Sequence, residues 1–181
     1  MEPLTATVIG YLLGSLPFAY WFGLIQRKNI LELGSKNPGA LNALRVLGVV
    51  PGLMVLLLDV AKGVLAVLYG EAIGGLPGAL AAGAASVWGH AYSAWLGFRG
   101  GKGIAPAAGV LLAVDPRVFA SAFGLWALFT LAARRPYRAA FITAGILPLI
   151  ALGWSGERAF LLFGLALAAP IALRHLKDLH R

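Results

Sequence analysis

From Leu4 to Ile25 the chain runs for 22 residues without a charged side chain. At about 1.5 Å per helical residue, such a run crosses the roughly 30 Å hydrocarbon core of a bilayer. It is too long for the apolar region of a signal peptide, and Glu2 is the only charge before it, so it reads as a retained span. The rest of the chain has the same character. Of 181 residues only 12% are charged and 60% are hydrophobic, whereas a soluble domain carries about a quarter charged residues. Mean hydropathy is +0.83. The 24 Gly and 10 Pro sit inside Leu, Ala and Val runs, a mixture that transmembrane helices tolerate better than soluble ones. Soluble, fibrous and disordered classes are excluded, and an all-α polytopic membrane protein is expected.

Further apolar stretches follow at Val46 to Tyr69, Ala72 to about Tyr92, Ile104 to Val114, Val118 to Ala133, Ala139 to Trp154 and Ala159 to Leu173. The stretch from Ile104 is only 11 residues long, short of a full crossing, so loop charge must arbitrate. With seven crossings and the N-terminus outside, twelve Lys and Arg fall on the inner side and only Arg117 and Arg158 on the outer. If residues 104–133 crossed once, the division would be seven against six. The basic excess therefore predicts seven transmembrane helices, N-terminus outside and C-terminus cytoplasmic, in one domain over residues 1–181. The net charge of +8 is explained by these loops and gives no reason to expect nucleic acid. With no Cys there is no disulfide framework, thiolate metal site or cysteine acyl-enzyme.

This topology gathers three polar segments on the cytoplasmic side. The first, Leu33 to Arg45, carries Ser35, Lys36, Asn37, Asn42 and Arg45 around Gly34 and Gly39. Glycines let backbone amides approach an oxyanion, and Arg offers a bidentate fork for phosphate. Asn42 and Arg45, three apart, share a face on a helix. An ordinary loop with a positive flank is the alternative, but such loops are usually shorter. The second segment, Gly97 to Gly103 (GFRGGKG), immediately precedes a helical stretch, so the amides of Gly100, Gly101 and Gly103 would point at an anion beside Arg99 and Lys102. It is not a Walker A loop, because Leu96 and Gly103 replace required residues. The third is the tail RHLKDLHR. His90 and His175 stand near the cytoplasmic ends of their spans, where each serves either acid/base chemistry or interfacial packing. Asp59 and Lys62, three apart within a span, are expected to neutralise each other. Gly74-xxx-Gly78 reads as a close helix approach. No HExxH motif or carboxylate cluster accompanies the histidines, so no metal or other cofactor is expected.

Three stretches carry a family resemblance. GSKNPGALNALRVLG (Gly34 to Gly48) resembles the first motif, usually GSGNPGATNVLR, of the bacterial acyl-phosphate-dependent glycerol-3-phosphate acyltransferases. LDVAKG (Leu58 to Gly63) is similar to their second-helix signature, and GHAYSAWLGFRGGKGIA (Gly89 to Ala105) to their GH…FKGGKGVAT motif. The opening YLLGSLPFAY also fits. Lys36, Leu41 and Pro106 depart from the family pattern. In the tail, which resembles the start of HxxNIxRLxxGxE, His175 keeps its place and Asp178 stands where the family has Asn.

The resemblance implies transfer of a fatty acyl group from acyl phosphate to the 1-hydroxyl of glycerol 3-phosphate, giving lysophosphatidic acid and phosphate at the cytoplasmic face of a bacterial plasma membrane. The expected partners are those two substrates and membrane lipids. An acyl phosphate is already an activated mixed anhydride, so the site needs only to hold phosphates, orient the hydroxyl and stabilise developing charge. The implied catalytic set is Ser35, Arg45, Lys102, His175 and His90. Gly34, Asn37, Asn42, Gly100, Gly101, Gly103 and Asp178 would contact substrate. The proton acceptor is His175, His90 or a substrate phosphate oxygen. The competing reading is a small transporter or flippase using the same loops as its gate. No inverted repeat or pair of broken midplane helices supports it.

Overall fold

Pro17 divides the first apolar run into α1 (Glu2–Ser15) and α2 (Phe18–Ile25), which together form a 24-residue apolar span. The computed structural model describes residues 2–179, and the side chain of Lys177 is not included. Arg181, counted above among the inner basic residues, lies outside the described residues. Proline has no N–H to continue the ladder, and the amides of Tyr20 and Trp21 turn to the Pro17 carbonyl. The Leu16 carbonyl is thereby left outside the helical ladder, and it is taken by the ammonium of Lys62 at 3.0 Å. An apolar surround makes such a partner obligatory.

The polar segment after α2 ends in α3 (Ala40–Leu47), which carries Asn42 and Arg45 on one helix as expected. Val46 and Leu47 belong to α3, so the second apolar stretch begins after Gly48 instead. There α4 (Val49–Ala91) runs for 43 residues, about 65 Å and twice the hydrocarbon thickness. It cannot stay straight. Gly74 and Gly75 leave helical geometry, with Gly75 at φ +57°, and the second arm folds back on the first. The arms press together backbone to backbone. A Cβ at Gly70 or Gly78 would overlap the other's carbonyl oxygen. The close approach expected of the Gly74/Gly78 pair is thus made by Gly78 with Gly70, while Gly74 sits in the reversal.

The same small-residue packing seats α1 on the second arm, where Gly10 and Gly14 meet the backbone of Ala82 and Ser86. The short helix α5 (Ile104–Val114) lies against the first arm, with Pro106 tolerated in its first turn. Asp115 caps α6 (Pro116–Ala133), accepting from the Arg117 amide and guanidinium at 2.8 Å each. Those hydrogen bonds hold the Asp115 carboxyl below the usual carboxylate range. The remaining helices are α7 (Pro136–Ser155) and α8 (Arg158–His175), the latter running into a 3-10 turn over Leu176–Asp178. Five helical stretches are long and apolar enough to cross a membrane, and α5 is an apolar helix too short to do so by itself. Among the described residues there is no strand, only an isolated bridge between Ser93 and Arg99. Val67, Leu80, Val87, Val110, Leu147 and Leu167 fill the interior. Leu57, Leu131, Leu149 and Leu162 project outward and exposed, as lipid-facing side chains do.

Candidate active site

The break at Pro17 brings a lysine into the bundle, and the lysine requires a counter-ion. Lys62 and Asp59 lie three apart on the first arm of α4 and pair at 2.8 Å, as their spacing predicts. From the end of the second arm, His90 Nδ1 comes within 3.5 Å of the same carboxylate oxygen. The Phe18 ring lies 5.5 Å from the ammonium. All three polar side chains are buried. Charge at this depth persists because each group meets its opposite and a hydrogen-bond partner.

Around this cluster is a cavity of about 10 Å³, room for about one water. Ser15, Ser93 and Pro38 line it together with Asp59, Lys62, His90, Gly100 and Gly101. Ser93 Oγ donates to the Ser15 carbonyl at 2.6 Å. Ser15 Oγ is buried with no partner among the described residues. Pro38 from the first polar segment and Gly100–Gly101 from the second therefore border one cavity.

The glycine loop is fixed from both sides. The Gly101 amide donates to the His90 carbonyl, left over at the end of α4, at 3.0 Å. Gly101 lies so close to the His90 ring that a Cβ would overlap Nε2. This amide is consequently spent on the helix end and is not aimed at an anion. From α8, Arg174 Nε donates to the Gly101 carbonyl at 3.1 Å and a second guanidinium nitrogen to that of Gly100. The guanidinium also stands 5.9 Å from the Tyr92 ring. Lys102 Nζ pairs with Asp178 at 2.5 Å and sits 3.5 Å above the centre of the Tyr137 ring. Gly103, at φ +83°, opens α5.

In the first segment Asn42 is almost wholly buried, at 1% exposure, and its amide is used up locally. Oδ1 accepts from the Ser35 amide at 2.9 Å, and Nδ2 donates to the carbonyls of Ile30 and Leu33 at 3.2 and 3.1 Å. Asn42 thus braces the turn that carries Gly34, at φ +59°, and Ser35. The side chains of Ser35, Lys36 and Arg45 are exposed, that of Asn37 is half-buried, and none of the four makes a hydrogen bond or ion pair among the described residues. Among the described residues no hydrogen bond or ion pair joins Arg45 or Ser35 to Lys102 or His175.

His175 is fully buried and 6.1 Å from Tyr137, ring centre to ring centre. Its Nδ1 lies 2.8 Å from the Ile171 carbonyl, which assigns the proton to Nδ1 and leaves Nε2 as an acceptor. Nε2 has no partner among the described residues. His90, in contrast, is enclosed by Asp59 on one side and Gly101 on the other. Among the described residues no group of three or more metal-ligating side chains converges. Arg174, Ser15 and Tyr137 escaped the sequence reading. Arg174 adjoins His175 in the basic tail and was counted there only as a loop charge, Ser15 lies within YLLGSLPFAY without standing out from it, and Tyr137 carries no local signal.

A family model described as Glycerol-3-phosphate acyltransferase matches residues 4–181. The glycerol-3-phosphate acyltransferase of Synechococcus sp. (strain JA-3-3Ab) is 37% identical over 182 residues, covering 100% of this chain and 90% of the relative. That of Desulforudis audaxviator (strain MP104C) is 40% identical over 176 residues, covering 96% and 88%. A crystal structure of PlsY (YgiH), described as an integral membrane glycerol 3-phosphate acyltransferase in its glycerol 3-phosphate form, superposes with a TM-score of 0.89 at 31% identity. It covers 100% of this chain and 92% of that one. Its lysophosphatidic acid form gives 0.87 at 31% identity, with 100% and 91% covered.

Proposed function

The chain belongs to the glycerol-3-phosphate acyltransferase family, and from that premise we propose that it moves a fatty acyl group from acyl phosphate to the 1-hydroxyl of glycerol 3-phosphate. The convergence of three polar segments carries this reading. Pro38 and Gly100–Gly101 border one cavity, and Arg174 and Asp178 reach the glycine loop from the end of α8. Glycerol 3-phosphate and lysophosphatidic acid, named for the similar PlsY structures, would be substrate and product here. The chain works as a single domain over residues 1–181 in a bacterial plasma membrane. With the two arms of α4 and the short α5 each counted as a crossing, seven spans put the N-terminus outside and the site at the cytoplasmic face.

In this reaction the substrate hydroxyl oxygen attacks the acyl carbonyl carbon, and the bond from that carbon to the phosphate oxygen breaks. Inorganic phosphate leaves with the bonding electrons. The hydroxyl proton passes to His175 Nε2 or to a phosphate oxygen. His175 suits the task better than His90, because its Nε2 is an unpartnered acceptor. Arg45 and Lys102 neutralise phosphate charge, assisted by the amides of Gly100 and Gly103. Ser35 and Asn37 orient substrate on the turn that Asn42 and Gly34 shape. For Lys102 to meet a phosphate, its bond to Asp178 must open or be shared.

The test is purified protein in lipid, given glycerol 3-phosphate with palmitoyl phosphate or, in parallel, palmitoyl-CoA. Lysophosphatidic acid and phosphate should form together in equal amounts with the acyl phosphate only. Product from the CoA thioester instead would overturn the donor assignment. Glycerol 3-phosphate crossing sealed vesicles without covalent change would favour the transporter.

A further inference from the structure

The end of α8 and the 3-10 turn after it grip three consecutive residues of the glycine loop: Arg174 holds the carbonyls of Gly100 and Gly101, and Asp178 holds the side chain of Lys102. We propose that Arg174 is a positioning residue that sets which way the peptide groups of this loop face. The inference rests on the reading that the loop receives a substrate phosphate.

Consecutive carbonyls in an extended chain point to opposite sides, yet here both turn to one guanidinium, so the chain is curved around it. The planar fork of an arginine matches two separate acceptors at once, which an ammonium does not. The peptide between Gly100 and Gly101 is fixed at both ends, its carbonyl on Arg174 and its N–H on the His90 carbonyl. In the next peptide the carbonyl again goes to Arg174. Peptide units here are trans, so carbonyl and N–H oppose one another, and the Lys102 N–H is turned away from α8. That N–H has no partner among the described residues. Arg174 therefore leaves the Lys102 N–H as an open backbone donor of the loop, a group suited to a phosphate oxygen. Without it, the peptide after Gly101 loses its anchor and the one before it keeps only the His90 carbonyl, with no Cβ restraint on either glycine.

The experiment uses the full chain in lipid as wild type, Arg174→Ala and Arg174→Lys. Hydrogen exchange at the Gly101 amide, which the His90 carbonyl protects, should accelerate about tenfold or more in Arg174→Ala, with the helices unchanged. The KM for glycerol 3-phosphate or palmitoyl phosphate should rise about tenfold, more than kcat falls. Methylguanidinium in solution should restore part of both readouts, and Arg174→Lys should be intermediate. Wild-type exchange and KM in Arg174→Ala would overturn the proposal. So would loss of protection across all helices in both variants, which marks a general structural role. Should wild type form no lysophosphatidic acid, the functional reading fails by itself. Loop exchange that still responds to Arg174 and to methylguanidinium then supports the positioning role.

Discussion

Two polar regions of this molecule treat their charges in opposite ways. In the Asp59–Lys62–His90 cluster every charged group is buried and finds its complement within the chain, Lys62 against Asp59 and the Leu16 carbonyl, Asp59 against Lys62 and His90. On the segment from Leu33 to Arg45, the side chains of Ser35, Lys36 and Arg45 are exposed and make no such contacts. Buried ionic groups that satisfy one another have little left to offer a ligand and serve to hold helices in register. Cations left open at a surface keep their full capacity to bind an anion. The glycine loop stands between these cases, because its backbone is locked to His90 and Arg174 while Lys102 is held by a partly exposed aspartate and the Tyr137 ring.

The most forceful way to break this comparison is to remove one half of the buried pair. Asp59→Ala leaves Lys62 charged without a counter-ion and should cost about 3–5 kcal/mol, read as a large drop in thermal unfolding temperature and in membrane yield. Asp59→Leu combined with Lys62→Met should regain much of that loss, apart from about 1 kcal/mol for the bond to the Leu16 carbonyl. A double variant as unstable as the two single losses added together would mean that the residues do not act as a pair. Arg45→Ala and Lys102→Ala should behave in the reverse manner. Each is expected to lower acyl transfer about 100-fold, with thermal unfolding unchanged in Arg45→Ala and lowered by only about 2–4 °C in Lys102→Ala. Near-normal turnover in either would remove that residue from the phosphate clamp.

How much of this contrast was legible in the sequence follows from what each feature depends on. The helical class, the pairing of Asp59 with Lys62 and the shortness of α5 are local matters of run length and i, i+3 spacing, and the structure has all three. The joining of the second and third apolar stretches into one hairpin was not legible, because a Gly-Gly reversal and a flexible loop read alike without the packing of Gly70 on Gly78. In the site, the polar segments were visible as composition, but the direction of each hydrogen bond was not. Asn42 looked like a ligand-facing amide, and only the fold shows it turned inward to three backbone groups. Gly101 looked like a free donor until the end of α4 came to rest beside it. Arg174 was hidden because its partners are carbonyls 73 and 74 residues away, which no spacing rule reaches.

Asn42 offers an intermediate test, since it belongs to the open segment yet behaves like the buried cluster. Asn42→Ala leaves the Ser35 amide and the Ile30 carbonyl without partners, and the Leu33 carbonyl with the Lys36 amide alone, and should cost about 1–3 kcal/mol. Activity should fall about tenfold through misplacement of Ser35. Loss of turnover at unchanged stability would instead return Asn42 to direct substrate contact.

The smallest expected effect is the most informative about the boundary between the two regions. Asp178 and Lys102 are 14% and 19% exposed, so water screens their attraction and the pair is worth about 1 kcal/mol. A substrate phosphate arriving at Lys102 must compete with that carboxylate and also meets its negative charge. Asp178→Asn keeps the shape and a hydrogen-bonding group but withdraws the competing charge. The KM for the phosphate-bearing substrate should therefore fall about fivefold, with thermal unfolding nearly unchanged. The difference from wild type should shrink at high salt, where screening already weakens the ion pair. A rise in KM would show that the carboxylate serves the substrate and does not compete with it. Lys102 would then belong with the mutually satisfied groups of the cluster beneath it, and the open cation of the site would be Arg45.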